Sequence, residues 1–285
     1  MMKILITGHM GLIGSKIFGA LRSLHDVDGI DIKDFEFGLD KQKIWDKIDL
    51  TFQGFEKKYD MIIHCAAYCV IRDLIKDPNL AFFNIKTTHY LMEFARRTGC
   101  KKVVIFSSGR LYSTNKNPYT VSKVYAEETA AAYKECFGID YMIIRPECVW
   151  GEHDNPVRVI PAWIKAAANN QPLLLYGTKE KELSPIYVDD FVSLFLSYLK
   201  EWEYYKGRKI SIKGSSFRAI LIAEMIIKVF GSKSEVKMME AEKSQPQTSS
   251  HLVEEDALVS VGYYTSFGER LREVFEHGNI TNKTK

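Results

Sequence analysis

Short runs of β-branched and other apolar residues alternate along this chain with longer stretches of helical spacing. The runs "KILIT", "VDGIDI", "YDMIIHCAA", "KKVVIFSS" and "IDYMIIRP" read as strands. Most are apolar at successive positions, as parallel strands buried on both faces are. Between them, "LIGSKIFGALRSL", "LAFFNIKTTHYLMEFARRTG" and "NPYTVSKVYAEETAAAYKECFG" carry one apolar face at helical period, the last two ending on glycine and the third opening on Asn-Pro. Strand and helix in strict alternation predict an α/β domain, a doubly wound parallel sheet with helices on both faces, reaching to about residue 150.

Beyond that point the rhythm loosens. "RVIPAWIKAAANNQP" reads as a helix and "LLLYG" as a short strand, "SPIYVDDFVSLFLSYLKEW" as a strand end running into a helix, and "KISIKG" and "FRAILIAEMIIKVFG" follow before the polar, loop-like "EAEKSQPQTSSH". The expected organisation is a first domain over 1–150 to which 186–214 return, with 151–185 and 215–285 forming a smaller, partly interleaved C-terminal substrate lobe.

Composition narrows the function classes. The 285 residues are 46% apolar and 26% charged, enough to bury a large core. The net charge of +3 is spread out and its densest basic runs fall at helix ends, which argues against a nucleic-acid partner. Cys65, Cys69, Cys100, Cys136 and Cys148 form no CxxC pair, so free thiols and no metal site are expected. The chain enters a strand at once and no apolar run approaches a membrane span, so a cytoplasmic location without membrane attachment is expected.

The loop "TGHMGLIG" places Gly8, Gly11 and Gly14 between the first strand and its helix. Glycine there permits a tight turn and a close approach of backbone to a pyrophosphate, with the helix N-terminus supplying oriented N–H groups. Asp31 ends the second strand at the distance where a carboxylate accepts from both ribose hydroxyls of an adenosine, the arrangement of a Rossmann dinucleotide site. That carboxylate repels a 2′-phosphate, which favours NAD over NADP, with Lys33 offsetting part of the repulsion. Asp49 stands where a loop meets the adenine edge, or is an ordinary exposed acid.

In "SSGRLYSTNKNPYTVSK", Tyr119 and Lys123 sit four apart at a helix start, below Ser107 and Ser108 at a strand end. A tyrosine of ordinary pKa, about 10, is a poor base unless its anion is stabilised. A lysine one turn along supplies such a field, and a serine hydroxyl can bridge to a substrate oxygen. Tyr119, Lys123 and Ser108 therefore suit base, field source and hydrogen-bond donor, with Ser107 structural.

Taken in order, "TGHMGLIG", Asp31, "HCAA", "SSGRLYS", "YTVSK", "RPECVWG" and "IYVDD" resemble the extended short-chain dehydrogenase/reductases, in particular their NAD-dependent epimerase/dehydratase branch of nucleotide-sugar modifying enzymes. The resemblance covers nearly the whole chain. It implies that Gly8, Gly11, Leu12 and Ile13 hold the pyrophosphate of NAD, Asp31 the ribose, and that Ala66, Ala67 and Pro146 line the cofactor cleft. It makes Ser108, Tyr119 and Lys123 the catalytic set, with Tyr119 and Lys123 also touching cofactor, and implies a homodimer through the helices carrying "LAFFNIKTTHYLMEF" and "SKVYAEETAAAY".

The departures from that pattern shape the expected reaction. Gly109 and Arg110 stand where 4,6-dehydratases of the family carry an Asp-Glu pair, which lowers dehydration beneath epimerase, reductase or dehydrogenase chemistry. Cys148 replaces a substrate-contacting Asn, and Cys148 with His153 forms a candidate second acid/base pair, whose plain alternatives are a small buried hydrophobe and a loop residue. Leu183 stands in place of an arginine that grips the substrate diphosphate, and no arginine lies between Arg218 and Arg270; Lys165, Lys179, Lys181 or Arg158 are the substitutes at hand. The connection from Ser108 to Tyr119 is short, and Arg110 within it either meets an anionic group or is simply solvated. A dinucleotide-binding sensor or assembly protein without turnover is the alternative of another class.

Overall fold

The computed structural model describes residues 1–32, 57–112, 116–152, 154–241, 257–261 and 267–277. Lys33, Asp49, His153 and most of the polar stretch after Glu240 lie outside the described residues.

The main sheet is built from β1 (Lys3–Thr7), β2 (Asp26–Ile30), β3 (Met61–His64), β4 (Lys102–Phe106), β5 (Asp140–Pro146), β10 (Lys209–Lys213) and β13 (Ala257–Val261). Across it they run in the order β13-β10-β5-β4-β3-β1-β2, every neighbour parallel. Alternation sends Ile4, Ile6, Met61, Ile63, Val104, Phe106, Met142 and Ile144 into one core, and Leu5, Ile62, Val103, Ile105 and Ile143 into the other. Both faces are dry, which is why these strands read as continuous apolar runs. Each such side chain contributes about 1.5–3 kcal/mol on burial, so the sheet is the stable platform of the molecule.

Helices α1 (Leu12–Leu21) and α6 (Val188–Lys200) cover the first face, joined at their surface by a Lys16–Asp189 ion pair of 2.8 Å. On the second face lie α3 (Asn79–Thr98) and α4 (Pro118–Phe137), preceded by the short α2 (Ile71–Lys76). The start of α4 is fixed by a reciprocal capping box: Asn117 Oδ1 accepts from Thr120 N at 3.1 Å while Thr120 Oγ1 accepts from Asn117 N at 3.0 Å, and Pro118 fills the first helical position. That cap sets the register of Tyr119 and Lys123.

Between β5 and the chain end the second lobe assembles from three two-stranded pairs. β6 (Cys148–Trp150) runs parallel to β9 (Pro185–Tyr187), β7 (Leu173–Tyr176) parallel to β12 (Val236–Met239), and β8 (Glu182–Leu183) antiparallel to β11 (Phe217–Arg218). With them pack α5 (Val159–Ala168), α8 (Ala219–Val229) and α9 (Phe267–His277), while α7 (Trp202–Tyr205) leads into β10. Trp150, Trp163, Ile222 and Leu271 share one core with the first sheet face, so the lobe is anchored and not tethered. Residues 257–261, grouped above with the smaller lobe, form the outer strand of the main sheet, Ile210 opposite Leu258; pairing satisfies the edge groups that β10 would otherwise leave open.

Chain order reverses at β1: it passes to β2 on one side and then to β3 on the other. The carboxyl ends of β1 and β3 therefore border the crevice in which open α/β sheets bind ligands.

Candidate active site

Within that crevice the loop after β1 is drawn tight by Gly8 N–H donating to Ile30 O at 2.7 Å and Gly11 N–H donating to Gly8 O at 3.0 Å. Gly8 has φ +73°, and a Cβ there would stand 2.7 Å from the backbone nitrogen of Ala66. A Cβ on Gly14 would stand 2.1 Å from Gly8 O. Backbone cannot yield to such contacts, so both positions require glycine. Gly11 caps α1 with no side-chain hydrogen bond, and no acidic residue lies in the first turn. The amides beside Leu12 and Ile13 thus start a helix whose own first turn carries no acidic side chain, as suits an anion site.

Asp31 follows β2 directly and is buried; its Oδ2 accepts from Met10 N–H at 3.0 Å, which fixes the carboxylate against the glycine loop. Across the crevice, Thr7 Oγ1 accepts from Ala66 N–H at 3.4 Å and meets His64 Nδ1 at 2.7 Å, holding the turn that carries Ala66 and Ala67. His64 also meets Thr88 Oγ1 at 3.2 Å, and burial pushes its imidazole down to about 3, so the ring is neutral. Pro146, half-buried, ends β5 on the same rim.

Ser108 and Tyr119 come together where β4 meets α4, and both are buried. Lys123 is buried as well, its Nζ donating to Phe106 O at 2.7 Å and lying 5.8 Å from the Tyr119 ring centre. Burial holds the Tyr119 phenol up at about 12, with the Cys69 sulfur adding to the rise; Ser108, Arg110 and Arg158 pull it back. The positive charges of Arg110 and Arg158 thus favour the phenolate. Burial also brings Lys123 down to about 8, against the opposing pull of Cys69, Cys65 and Glu127.

Arg110 lies in a short 3-10 turn (Gly109–Tyr112), its N–H donating to Ser108 Oγ at 3.2 Å. Its side chain is open to solvent, yet enough protein surrounds it that desolvation lowers its pKa, and Arg158 adds to that lowering. Arg158 precedes α5 and donates to Asp154 Oδ1 at 2.9 Å. Cys148 starts β6 beside this group; burial pushes its thiol up while Arg158 and Arg110 draw it down. His153, its expected partner, is outside the described residues.

Four positions escaped sequence reading. Asn84 of α3 accepts from Tyr68 N–H at 2.8 Å and donates to Ser122 Oγ at 3.2 Å, clamping the turn after β3 to α4. Glu127, one turn past Lys123, receives Arg145 Nε at 2.8 Å and Ser107 Oγ at 2.5 Å, which gives Ser107 the structural role expected of it. Polar residues on otherwise apolar faces were the available signal for both. Glu147 packs where a Gly109 side chain would be, its Cγ 2.5 Å from a Cβ built on that glycine. Asp154 carried no signal in the sequence.

The model of the NAD dependent epimerase/dehydratase family matches residues 4–212. The chain belongs to that family. Within the family, the dTDP-D-glucose 4,6-dehydratase of Dictyostelium discoideum is 30% identical over 244 residues, covering 70% of this chain and 56% of that protein. The chain thus spans little more than half the length of that relative. The dTDP-4-dehydro-6-deoxy-D-allose reductase of Streptomyces bikiniensis is 24% identical, with 82% of this chain and 83% of that protein covered. UDP-glucose 4-epimerase from Thermotoga maritima, solved with UDP-glucose, superposes with a TM-score of 0.80 at 18% identity over 97% of this chain and 99% of that one. That likeness speaks for the fold, a Rossmann-like α/β sheet. Among the described residues, no helix is long and apolar enough to cross a membrane.

Proposed function

We propose that the protein is an NAD-dependent enzyme acting on a sugar hydroxyl or ketone, foremost a nucleotide-sugar epimerase. One observation carries the reading: Ser108, Tyr119 and Lys123 are buried together at the carboxyl end of β4, the same end of the parallel sheet that carries the glycine loop. The residues present suit NAD: Gly8 and Gly14 leave room that a Cβ would fill, and the fixed carboxylate of Asp31 suits a free ribose better than a 2′-phosphate. Leu12, Ile13, Ala66, Ala67 and Pro146 would line it, and Tyr119 and Lys123 would meet its nicotinamide end. Bound NAD supplies reversible hydride exchange at the carbon being oxidised.

In this scheme Tyr119 exchanges a proton with the sugar hydroxyl, Ser108 hydrogen-bonds the same oxygen, and Arg110 and Arg158 offset the cost of the buried phenolate. Lys123, held on Phe106 O, orders the ribose side of the site. Return of hydride to the opposite face of the keto sugar completes an epimerisation; release of the ketone would make the enzyme a dehydrogenase, and the reverse step a 4-keto reductase. The length match to the Streptomyces reductase supports keeping that second reading.

The test is to incubate the full chain with NAD and a panel of nucleotide sugars, following reduced-cofactor absorbance and product stereochemistry by NMR. Epimer formation without net cofactor reduction is expected, and Tyr119→Phe should lower turnover by ~10²–10⁴-fold. Tight NAD binding without turnover would favour a binding protein, and a 4-keto-6-deoxy product would mean dehydration. Exposed Phe82, Val121 and Val124 on α3 and α4 support a homodimer through these helices; a monomer in solution at micromolar concentration would refute it. A cytoplasmic location accords with the same reading.

A further inference from the structure

Among the described residues, the Arg110 side chain near Tyr119 carries a charge with no ion-pair partner. Among the described residues its guanidinium makes no ion pair and no hydrogen bond; only its backbone N–H is engaged, by Ser108 Oγ at 3.2 Å. The groups acting on it most strongly are Arg158, a like charge, and the side chains of Tyr119, Cys148 and Cys69, a phenol and two thiols. No carboxylate is among them. Like charges that act on each other in this way are reconciled when a ligand supplies negative charge between them.

Arg158 is held in readiness beside it. Asp154, its side chain 3% exposed, binds Arg158 Nη1 with Oδ1 at 2.9 Å, and Asn155 N–H donates to that same oxygen at 2.8 Å. The other oxygen, Oδ2, is buried with no hydrogen-bond partner among the described residues. A buried carboxylate oxygen left unpaired costs about 1–3 kcal/mol, which a hydroxyl donor from a ligand would remove. An uncompensated guanidinium, a second one fixed by a buried acid, and an acceptor awaiting a donor thus surround Cys148, on which Arg158, Arg110, Asp154 and Glu147 all act.

The location decides which part of a ligand this group would meet. Arg110 stands two residues after Ser108, its backbone N–H tied to that hydroxyl, and Ser108 is buried with Tyr119 where β4 meets α4. Anything its guanidinium binds therefore lies within one side-chain length of the oxygen being oxidised, on the sugar ring itself and not at the far end of a nucleotide.

We propose that Arg110, with Arg158 beside it, binds a carboxylate carried by the sugar, so that the preferred substrate is a nucleotide-linked acidic sugar of the uronic-acid class. This rests on the function proposed above and adds to it the charge of the substrate. The planar fork of Arg110 meets the carboxylate in two hydrogen bonds, and Asp154 Oδ2 accepts from a neighbouring ring hydroxyl.

Calorimetric titration of the NAD-loaded full chain with UDP-glucose and UDP-glucuronate, and with the same sugars on a thymidine carrier, tests this without requiring turnover. Glucuronate should bind more tightly by roughly 10- to 100-fold, the range of one charge-assisted pair. Arg110→Gln should bring the ratio of the two affinities to about one, and Arg110→Lys should keep part of the preference, since a point charge replaces the fork. Equal affinities in the wild-type chain overturn the proposal, as does a preference that persists in Arg110→Gln. An equal loss on both sugars overturns it too, placing the arginine on the diphosphate. Preferential binding of the acid without turnover would uphold this inference while sinking the enzymatic reading; binding of neither sugar would remove both.

Discussion

Tyr119, Lys123 and Glu127 repeat every four residues on one face of α4, and the third of them anchors the other two. The Glu127 side chain, 3% exposed, receives Arg145 Nε at 2.8 Å and Nη2 at 2.5 Å in a two-pronged pair, plus Ser107 Oγ at 2.5 Å, with Lys209 Nζ 3.7 Å away. Arg145 belongs to β5 and its side chain is 1% exposed, so the pair ties α4 to the sheet out of reach of water. Removing one partner strands the other as a buried charge, at a cost of about 3–5 kcal/mol, whereas replacing both by apolar residues of similar volume is neutral or stabilising by about 1–4 kcal/mol. Against a total stability of about 5–15 kcal/mol the single change is severe.

The perturbation is Glu127→Gln, set against Glu127→Leu/Arg145→Met. Urea unfolding followed by circular dichroism should show the single variant losing about 3–5 kcal/mol and the double variant recovering most of it, with m unchanged. A second readout separates anchoring from stability. The Glu127 charge raises the Lys123 pKa against the burial that sets it at about 8, so Glu127→Gln should move the basic limb of the pH–rate profile to lower pH. A loss below about 1 kcal/mol in the single variant, or a double variant as weak as the sum of its parts, would refute the buried-pair reasoning.

Three further outcomes follow from the site. Gly14→Ala forces a Cβ to within 2.1 Å of Gly8 O, so NAD affinity measured by fluorescence titration should collapse and the melting temperature should fall, consistent with an overpacking cost of about 1–3 kcal/mol; wild-type affinity would contradict the cradle. Asp31→Ser removes the carboxylate fixed by Met10 N–H, and the ratio of NADP to NAD affinity should rise at least about tenfold, one charge repulsion's worth; an unchanged ratio would take Asp31 off the ribose. His64 is depressed from 6.5 to about 3 by burial first and the Lys123 charge second. The unfolded chain therefore binds the extra proton between those values, and the stability this neutral histidine contributes is lost as pH falls from about 6.5 toward 3, at up to about 1.4 kcal/mol per unit. His64→Gln should flatten that slope in unfolding titrations, and an identical slope would show that other groups carry it.

What could be read in advance was whatever local sequence determines. Glycine spacing, the Asn117–Pro118 start of α4 and the doubly apolar strands each follow from constraints on a few neighbouring residues, and they located the loop, the helix and the sheet. Asp31 was legible because a strand end positions it by counting. Pairings between distant residues were not, since periodicity says which face is buried and not what waits there: Glu127 meets Arg145 across a helix and a strand, and β13 reaches the edge of β10 from the far end of the chain.

The same limit applies around Tyr119 and Lys123. Lys123 lies one turn from Tyr119 with its ammonium held by Phe106 O, and the charges of Arg110 and Arg158, which sit on different loops, also favour Tyr119 ionisation. If Arg110 binds substrate as proposed, the ionisation of Tyr119 is coupled to the ligand. An anionic group seated on Arg110 would share the charge that now favours the phenolate, so Tyr119 would hold its proton more firmly in the complex with an acidic sugar than in the free site. The proton balance of the reaction would then depend on the charge of what is bound, and a pH–rate profile shifted to higher pH for acidic relative to neutral sugars is the expected signature; coincident profiles would refute the coupling.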